Sequence, residues 1–213
     1  MPRMNILNTV EREAFESPPV FNSVQRKQYF DFPTELRRLA AELRAPTHQL
    51  GFLLSAGYFK AAKSFFPPGA FHRRDLEYVA RQLELEDPRF DFSDYNPRTR
   101  QLHEITIRTF YGFRVFDPEA RRLLLKEIAG MVRSQLKPKL MLWLCVDALL
   151  REKIEVPSYT RLTKLILGAI NRRKQELATT STRPSRIKER VADLDLVGGL
   201  YHQLSPVSIS VKT

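Results

Sequence analysis

Cysteine is almost missing from this chain. Cys145 stands alone among 213 residues, so no internal disulfide can form and a reducing compartment is expected. Lying in the most apolar stretch, it reads as a small buried hydrophobe. Histidine is scarce too: His48, His72, His103 and His202 are never three to five residues apart, and Cys145 is far from all of them, so no metal site is expected. There is no Gly-rich phosphate loop, no Gly-x-Ser-x-Gly elbow and no zinc-protease motif. The acidic residues mostly alternate with basic ones and read as surface pairs. Asp147, inside an apolar run, reads instead as a buried, hydrogen-bonded residue orienting a neighbouring helix. Catalytic residues, a metal and a cofactor are all absent from this reading, so no enzyme is expected. Long hydrophobic runs are lacking as well. The run at Leu140 reaches Asp147 before the roughly 20 residues needed to cross a bilayer, and no apolar segment follows Met1-Pro2-Arg3-Met4, so neither a membrane span nor a signal peptide is expected. Sustained alternation of period two and Asn-Gly turns are also missing, and Phe113-Arg114-Val115-Phe116 is too brief to demand a strand. The expected class is all-α.

What the chain has is positive charge. Thirty-five Lys and Arg stand against 24 Asp and Glu, a net charge of +11, with a pI near 10.0. The excess points to a polyanionic partner, nucleic acid or a membrane surface, although basic structural proteins share it. At 43% hydrophobic residues the chain can build a substantial core.

The segment from Pro138 to Lys174 organises the rest. Pro138 to Val146 is apolar enough to be buried on most sides. A tight break, Lys153-Ile154-Glu155-Val156-Pro157, follows. The chain resumes at Ser158-Tyr159-Thr160-Arg161 and ends in Asn171-Arg172-Arg173-Lys174. A buried helix, a short turn and a second helix with a basic, hydroxyl-rich face is the pattern of a helix-turn-helix unit. In that reading Ser158, Tyr159, Thr160, Arg161 and Lys164 face DNA. Arg161 reads guanine, and Ser158 and Thr160 hold phosphate. Leu162, Leu165, Ile166, Ala169 and Ile170 form the core face. Spacing alone fits a solvated face on an ordinary helical hairpin equally well. Arg172, Arg173 and Lys174 are candidates for phosphate contact or simply a basic helix end.

Earlier in the chain, Thr9 to Phe15 gives a helix signal stopped by Ser17-Pro18-Pro19. Phe21, Tyr29, Phe30 and Phe32 read as aromatic anchors docking an arm onto the body. Thr34 to Arg44 shows helical spacing, and Pro46 ends that helix. Thr47 is read as the cap of the next helix, with Arg44, Thr47, His48 and Gln49 at a second, weaker helix-turn-helix corner. A helix from about Arg73 to Leu85 turns Leu76, Val79, Ala80 and Leu83 inward. Asn96 and Pro97 open another, which presents Arg98, Arg100, His103 and Arg108 among Leu102, Ile105 and Phe110 and stops at Gly112. Arg98, Arg100 and His103 are a further candidate footprint. Asp117-Pro118 opens a helix burying Leu124, Ile128, Met131 and Val132. The expected organisation is two small helical subdomains, each with a helix-turn-helix-like unit: residues 1–88 with the aromatic arm, residues 89–178, and a linker and tail at 179–213.

The order of motifs then becomes familiar. Arg44-Ala45-Pro46-Thr47-His48-Gln49-Leu50-Gly51-Phe52 is followed by Tyr58-Phe59, Tyr78-Val79-Ala80-Arg81-Gln82-Leu83, Tyr95 and Arg98-x-Arg100-x-x-His103. Tyr111-Gly112-Phe113-Arg114-x-Phe116 comes next, and Lys153 to Leu162 closes the series. Over roughly residues 5–178 this resembles the N-terminal region of the large transposases of the Tn-three family of replicative transposons. The resemblance implies a bacterial, cytoplasmic, sequence-specific binder of double-stranded DNA at terminal inverted repeats. It also implies that the metal-dependent Asp-Asp-Glu catalytic domain lies far downstream in a longer chain, with self-association through those missing regions. After about Lys174 the likeness fades. Two rivals remain: a helical scaffold binding a protein partner, and a nuclease or transferase with an unrecognised site.

Overall fold

A computed structural model describes residues 5–85 and 95–181. The boundary expected between residues 88 and 89, and the expected linker and tail beyond residue 181, lie outside the described residues. Those residues form α1 (Thr9–Glu16), α2 (Ser23–Tyr29), α3 (Thr34–Ala41), α4 (Pro46–Ala62), α5 (Arg73–Gln82), α6 (Pro97–Tyr111), α7 (Pro118–Arg133), α8 (Pro138–Arg151) and α9 (Tyr159–Ser181). The fold is all-α. Among the described residues the only β pairing is a single parallel bridge between Arg114 and Ile154. No helix described is long and apolar enough to cross a membrane.

Local chemistry sets the helix starts. Asn8 with Glu11 and Asn22 with Gln25 close reciprocal capping boxes at α1 and α2. Asn96 Oδ1 accepts from the Thr99 amide and Asp117 Oδ1 from the Ala120 amide, each just before a proline in the first turn. The α4 start differs from the expectation. Pro46 opens this helix rather than ending the previous one, which stops at Ala41, and Thr47 makes no cap because Ala45 holds that position. Gly112 ends α6 at φ 69°, as its freedom in the left-handed region predicts.

The chain divides into two compact units, Met1–Asn171 and Arg172–Thr213. Of the second, residues 172–181 are described, all helical. Among the described residues the first unit holds two hydrophobic cores. One gathers around α4, which packs against α2, α3, α5 and α6. It is rich in aromatics: Phe21, Phe30, Phe32, Phe52, Tyr58, Phe59, Phe66 and Phe71 are all buried. The expected aromatic anchors Phe21, Phe30 and Phe32 are part of it, joined by the partly buried Tyr29. The other core is largely aliphatic and joins α7, α8 and the first part of α9 through Leu124, Ile128, Met141, Leu142, Leu149, Leu162 and Ile166, with Cys145 buried among them. Ile6 and Leu7, at the other end of the chain, are buried in this second core.

Two expectations for α8 are corrected. Leu140 and Trp143 are 48% and 46% exposed, so the apolar run is not buried on most sides. Asp147 is exposed and lies 3.5 Å from Arg151 one turn on, because the buried stripe of α8 runs through Met141, Leu142, Cys145, Ala148 and Leu149 and leaves position 147 outside.

Candidate nucleic-acid interface

The turn before α9 is fixed from three sides. Lys153 and Ile154 leave α8 through a left-handed residue, Lys153 at φ 54°. The Arg114 amide then donates to the Lys153 carbonyl at 2.8 Å, and the Glu155 amide to the Arg114 carbonyl at 3.0 Å. One residue further, the Val156 amide donates to the carbonyl of Lys63 at 2.8 Å, the left-handed cap at the end of α4. The Glu155 side chain adds two more ties. Its Oε2 lies 2.7 Å from Nη1 of Arg108 on α6, and its Oε1 accepts from the Phe116 amide at 3.2 Å. Both ion-pair partners are largely shielded from water, at 12% and 15% exposure, where charge-assisted hydrogen bonds keep their strength. The Arg108 guanidinium also stacks over Phe65 at 5.4 Å. Lys63 and Lys153 sit over the ring of Phe113, and burial, then the nearby Lys153 and Lys60, hold the Lys63 ammonium below the usual lysine range. Both cores thus grip this turn, and it sets where α9 begins.

From that start, α9 sorts its residues by face. Leu162, Leu165 and Ile166 are buried, and Ala169 and Ile170 pack partly against the same core, as the spacing predicts. Ser158, Thr160, Arg161 and Lys164 are exposed. The Arg161 guanidinium rests 4.7 Å from the centroid of the Phe116 ring, which narrows its rotamer choice while its donors stay in solvent. Tyr159 is corrected. It is 5% exposed, its hydroxyl accepts from the Leu7 amide at 3.0 Å, and its ring meets Phe15 edge-on and carries the Arg12 guanidinium. It anchors the N-terminal segment to the start of α9 and faces no solvent. Arg172, Arg173 and Lys174 are exposed, with Arg173 3.3 Å from Glu176.

The footprint expected on α6 separates. Arg98 is exposed. Arg100 is half-buried and 3.4 Å from Glu104. His103 points inward: it is 5% exposed, and its Nδ1 shares a 2.8 Å hydrogen bond with the Tyr95 hydroxyl. Burial first, and then the positive charge His48 can carry, push its pKa down to about 4, so at neutral pH the ring is uncharged. Burial also raises the Tyr95 phenol above its ordinary value, so a protonated phenol meets a neutral imidazole in this contact. His103 is therefore a core residue, because α6 buries the stripe of His103 and Ile107 and turns Leu102 and Ile105, 58% and 47% exposed, to water.

At the α3–α4 corner, Arg44 is exposed and Thr47 half-buried. Gln49 Nε2 donates to the Leu43 carbonyl at 2.8 Å, closing the corner on itself. The ring of His48, also half-buried, lies 5.9 Å from Tyr95 and 6.1 Å from His103. The residues that matter most for presenting α9, Glu155 and Arg108, carried no mark in the sequence beyond a turn and a basic helix. Only the pairing of Arg114 with Ile154, 40 positions apart, reveals them.

An all-α domain with a basic, solvent-facing helix held on a clamped turn is the class that fold and site define. The chain belongs to the family described as a domain of unknown function, DUF4158, whose model matches residues 6–169. No curated protein matches the chain.

Proposed function

We propose that this chain binds duplex DNA in a sequence-specific manner and neither cuts nor joins it. It would serve as the part of a replicative-transposon transposase that recognises the terminal inverted repeats, in the bacterial cytoplasm. The observation that carries the reading is the exposed face of Ser158, Thr160, Arg161 and Lys164 at the start of a helix whose entry turn is tied to both cores. A helix of this kind can enter a major groove with its N-terminal residues toward base edges. A rigid mount is what a base-reading side chain needs, since a bidentate contact fails when its helix shifts by an ångström. The motif series supports the transposase assignment, and the net charge of +11 supports a polyanionic partner. Tyr159 and His103 have no place in the contact set.

The test is selection of binding sites from a random duplex pool, followed by anisotropy titration of the selected site and of inverted-repeat DNA. Arg161→Ala should weaken binding to the selected site by about 1–3 kcal/mol and relax preference at one base position. Equal affinity for scrambled DNA removes the specificity claim. A second reading, a helical scaffold for a protein partner, draws on the exposed Leu102 and Ile105 of α6 and Leu140 and Trp143 of α8. Steep loss of DNA affinity with salt favours the first reading over it.

A further inference from the structure

α5 carries a second basic face. Glu77 and Tyr78 lie three and four residues after Arg74 and four and three before Arg81, so all four share one side. With Ser23 and Arg26 of α2 they line an open groove of about 380 Å³. The carboxylates nearby are already engaged. Asp75, fully buried beneath the groove, accepts from Arg26 Nε at 2.6 Å and from the Tyr58 hydroxyl at 2.8 Å. Glu77 is held 2.9 Å from Arg73. Arg26 is fixed further by its Nη2, which donates to the Phe21 carbonyl at 2.8 Å. Arg81 uses Nε on the Glu77 carbonyl, which leaves its two Nη groups for another partner, and Arg74 has no acidic partner among the described residues. Three guanidinium groups, Arg26, Arg74 and Arg81, therefore line the groove beside one carboxylate, Glu77, which Arg73 holds from outside it. Desolvating a donor set of this kind is repaid by an anion with several oxygens.

We infer that the groove between α2 and α5 takes the phosphodiester backbone of duplex DNA, as a sequence-independent contact separate from the face of α9. This inference rests on the DNA-binding reading above. Arg74 and Arg81 are seven residues apart, about 10 Å along the helix axis. That matches the axial rise of about three nucleotides on one strand, so the two arginines reach different phosphates. The hydroxyls of Ser23 and Tyr78 can donate between them. Contacts of this type position a protein on DNA and carry no base information.

The experiment is a salt titration of the full chain on random-sequence duplex DNA, comparing wild type with the double variant Arg74→Gln/Arg81→Gln. Losing two phosphate contacts should reduce the slope of log K against log salt by about 2 and leave the preferred base sequence unchanged. Arg74→Lys/Arg81→Lys should keep most of the slope, because it keeps the charge. Both side chains are exposed, so thermal unfolding of the variants should match wild type, and a mismatch would mark a structural role and overturn the inference. An unchanged slope in the Gln variant, with Arg161→Ala still weakening binding, removes the groove from the DNA interface and leaves the α9 reading standing. Wild type that binds no duplex overturns both. Binding of inorganic phosphate or a phosphopeptide that the Gln variant loses, with duplex binding intact, assigns the groove to a different ligand and also overturns the inference.

Discussion

The two cores of the first unit solve the same packing problem with different materials. Around α4 the filling is aromatic and contains polar groups. Phe30, Tyr58 and Phe71 meet at ring distances of 5.3–5.6 Å around Tyr58, while Asp75 and His103 are buried within or beside the same layer. Around α7, α8 and α9 the filling is mostly Leu and Ile, and its buried polar contact among the described residues is the Tyr159 hydroxyl with the Leu7 amide. Flat rings and fixed hydrogen bonds allow one arrangement, whereas branched aliphatic chains and methionine can refill small gaps. The aromatic core should therefore be the brittle one. The aliphatic core, which holds the start of α9, should absorb change.

The largest effect expected is at Asp75. This carboxylate is fully buried and is the shared acceptor of Arg26 and Tyr58, and the Tyr58 hydroxyl in turn accepts from the His72 amide at 3.1 Å. Asp75→Ala leaves a largely buried guanidinium and a buried phenol without their acceptor. Breaking one side of such a pair costs about 3–5 kcal/mol, which chemical denaturation would read as a large drop in midpoint. A loss below about 1 kcal/mol would show that the aromatic core tolerates repair, and the contrast between the cores would fall.

Next comes acid. The folded-state pKa of His103 lies near 4, below the ordinary 6.5, because burial and His48 disfavour its charge. Above pH 6.5 the ring is neutral whether the chain is folded or not, and it adds no pH dependence. Between about 6.5 and 4 the unfolded chain takes up the proton and the folded one does not, so stability falls as pH falls, and below 4 the term levels off. At 1.36 kcal/mol per pKa unit the whole window is worth about 3 kcal/mol. Urea unfolding of wild type and His103→Gln at neutral pH and near pH 4 isolates it. The variant should lose less stability than wild type over that interval. Equal losses would place the acid sensitivity elsewhere.

The same contrast explains what could be read from the sequence. α7 and the first part of α9 each bury one stripe of aliphatic residues, so Leu124, Ile128, Leu162 and Ile166 were legible from spacing alone. In α4 the spacing puts Leu50, Leu53, Leu54 and Tyr58 on one side, and all four are buried, but the helix buries ten consecutive residues, Leu50 to Phe59, and a single stripe cannot show burial all round. α2 went unread although its capping box, Asn22 with Gln25, was a usable signal, because the aromatic residues around it drew the reading toward an extended arm. At the candidate interface Arg161 and Lys164 were legible as an outward face. Tyr159 and His103 were not, because polar atoms looked solvent-directed until their partners, Leu7 and Tyr95, were brought to them by tertiary contacts. The clamp through Glu155 was illegible for the same reason.

The smallest effects come from moving a single carbon, and they compare the cores most directly. In the aromatic core a carbon can be added. A Cβ placed on Gly57 would stand 2.3 Å from Cδ1 of Phe30, a ring with no exposure that is wedged against Tyr58 and Phe21. The better helix propensity of Ala returns about 1 kcal/mol, but overpacking of this depth costs more, so Gly57→Ala should lose about 2 kcal/mol net. In the aliphatic core a carbon can be taken away. Ile128→Val removes one methylene from a fully buried site in the cluster that holds Met141 and Leu142, and Met141 can lean into the space. The loss should be about 1 kcal/mol or less, at the lower end for this substitution. Thermal unfolding of the two variants side by side checks the pair. If Ile128→Val proves the costlier, the aliphatic core is the tightly fitted one, and the start of α9 rests on the less forgiving half of the unit.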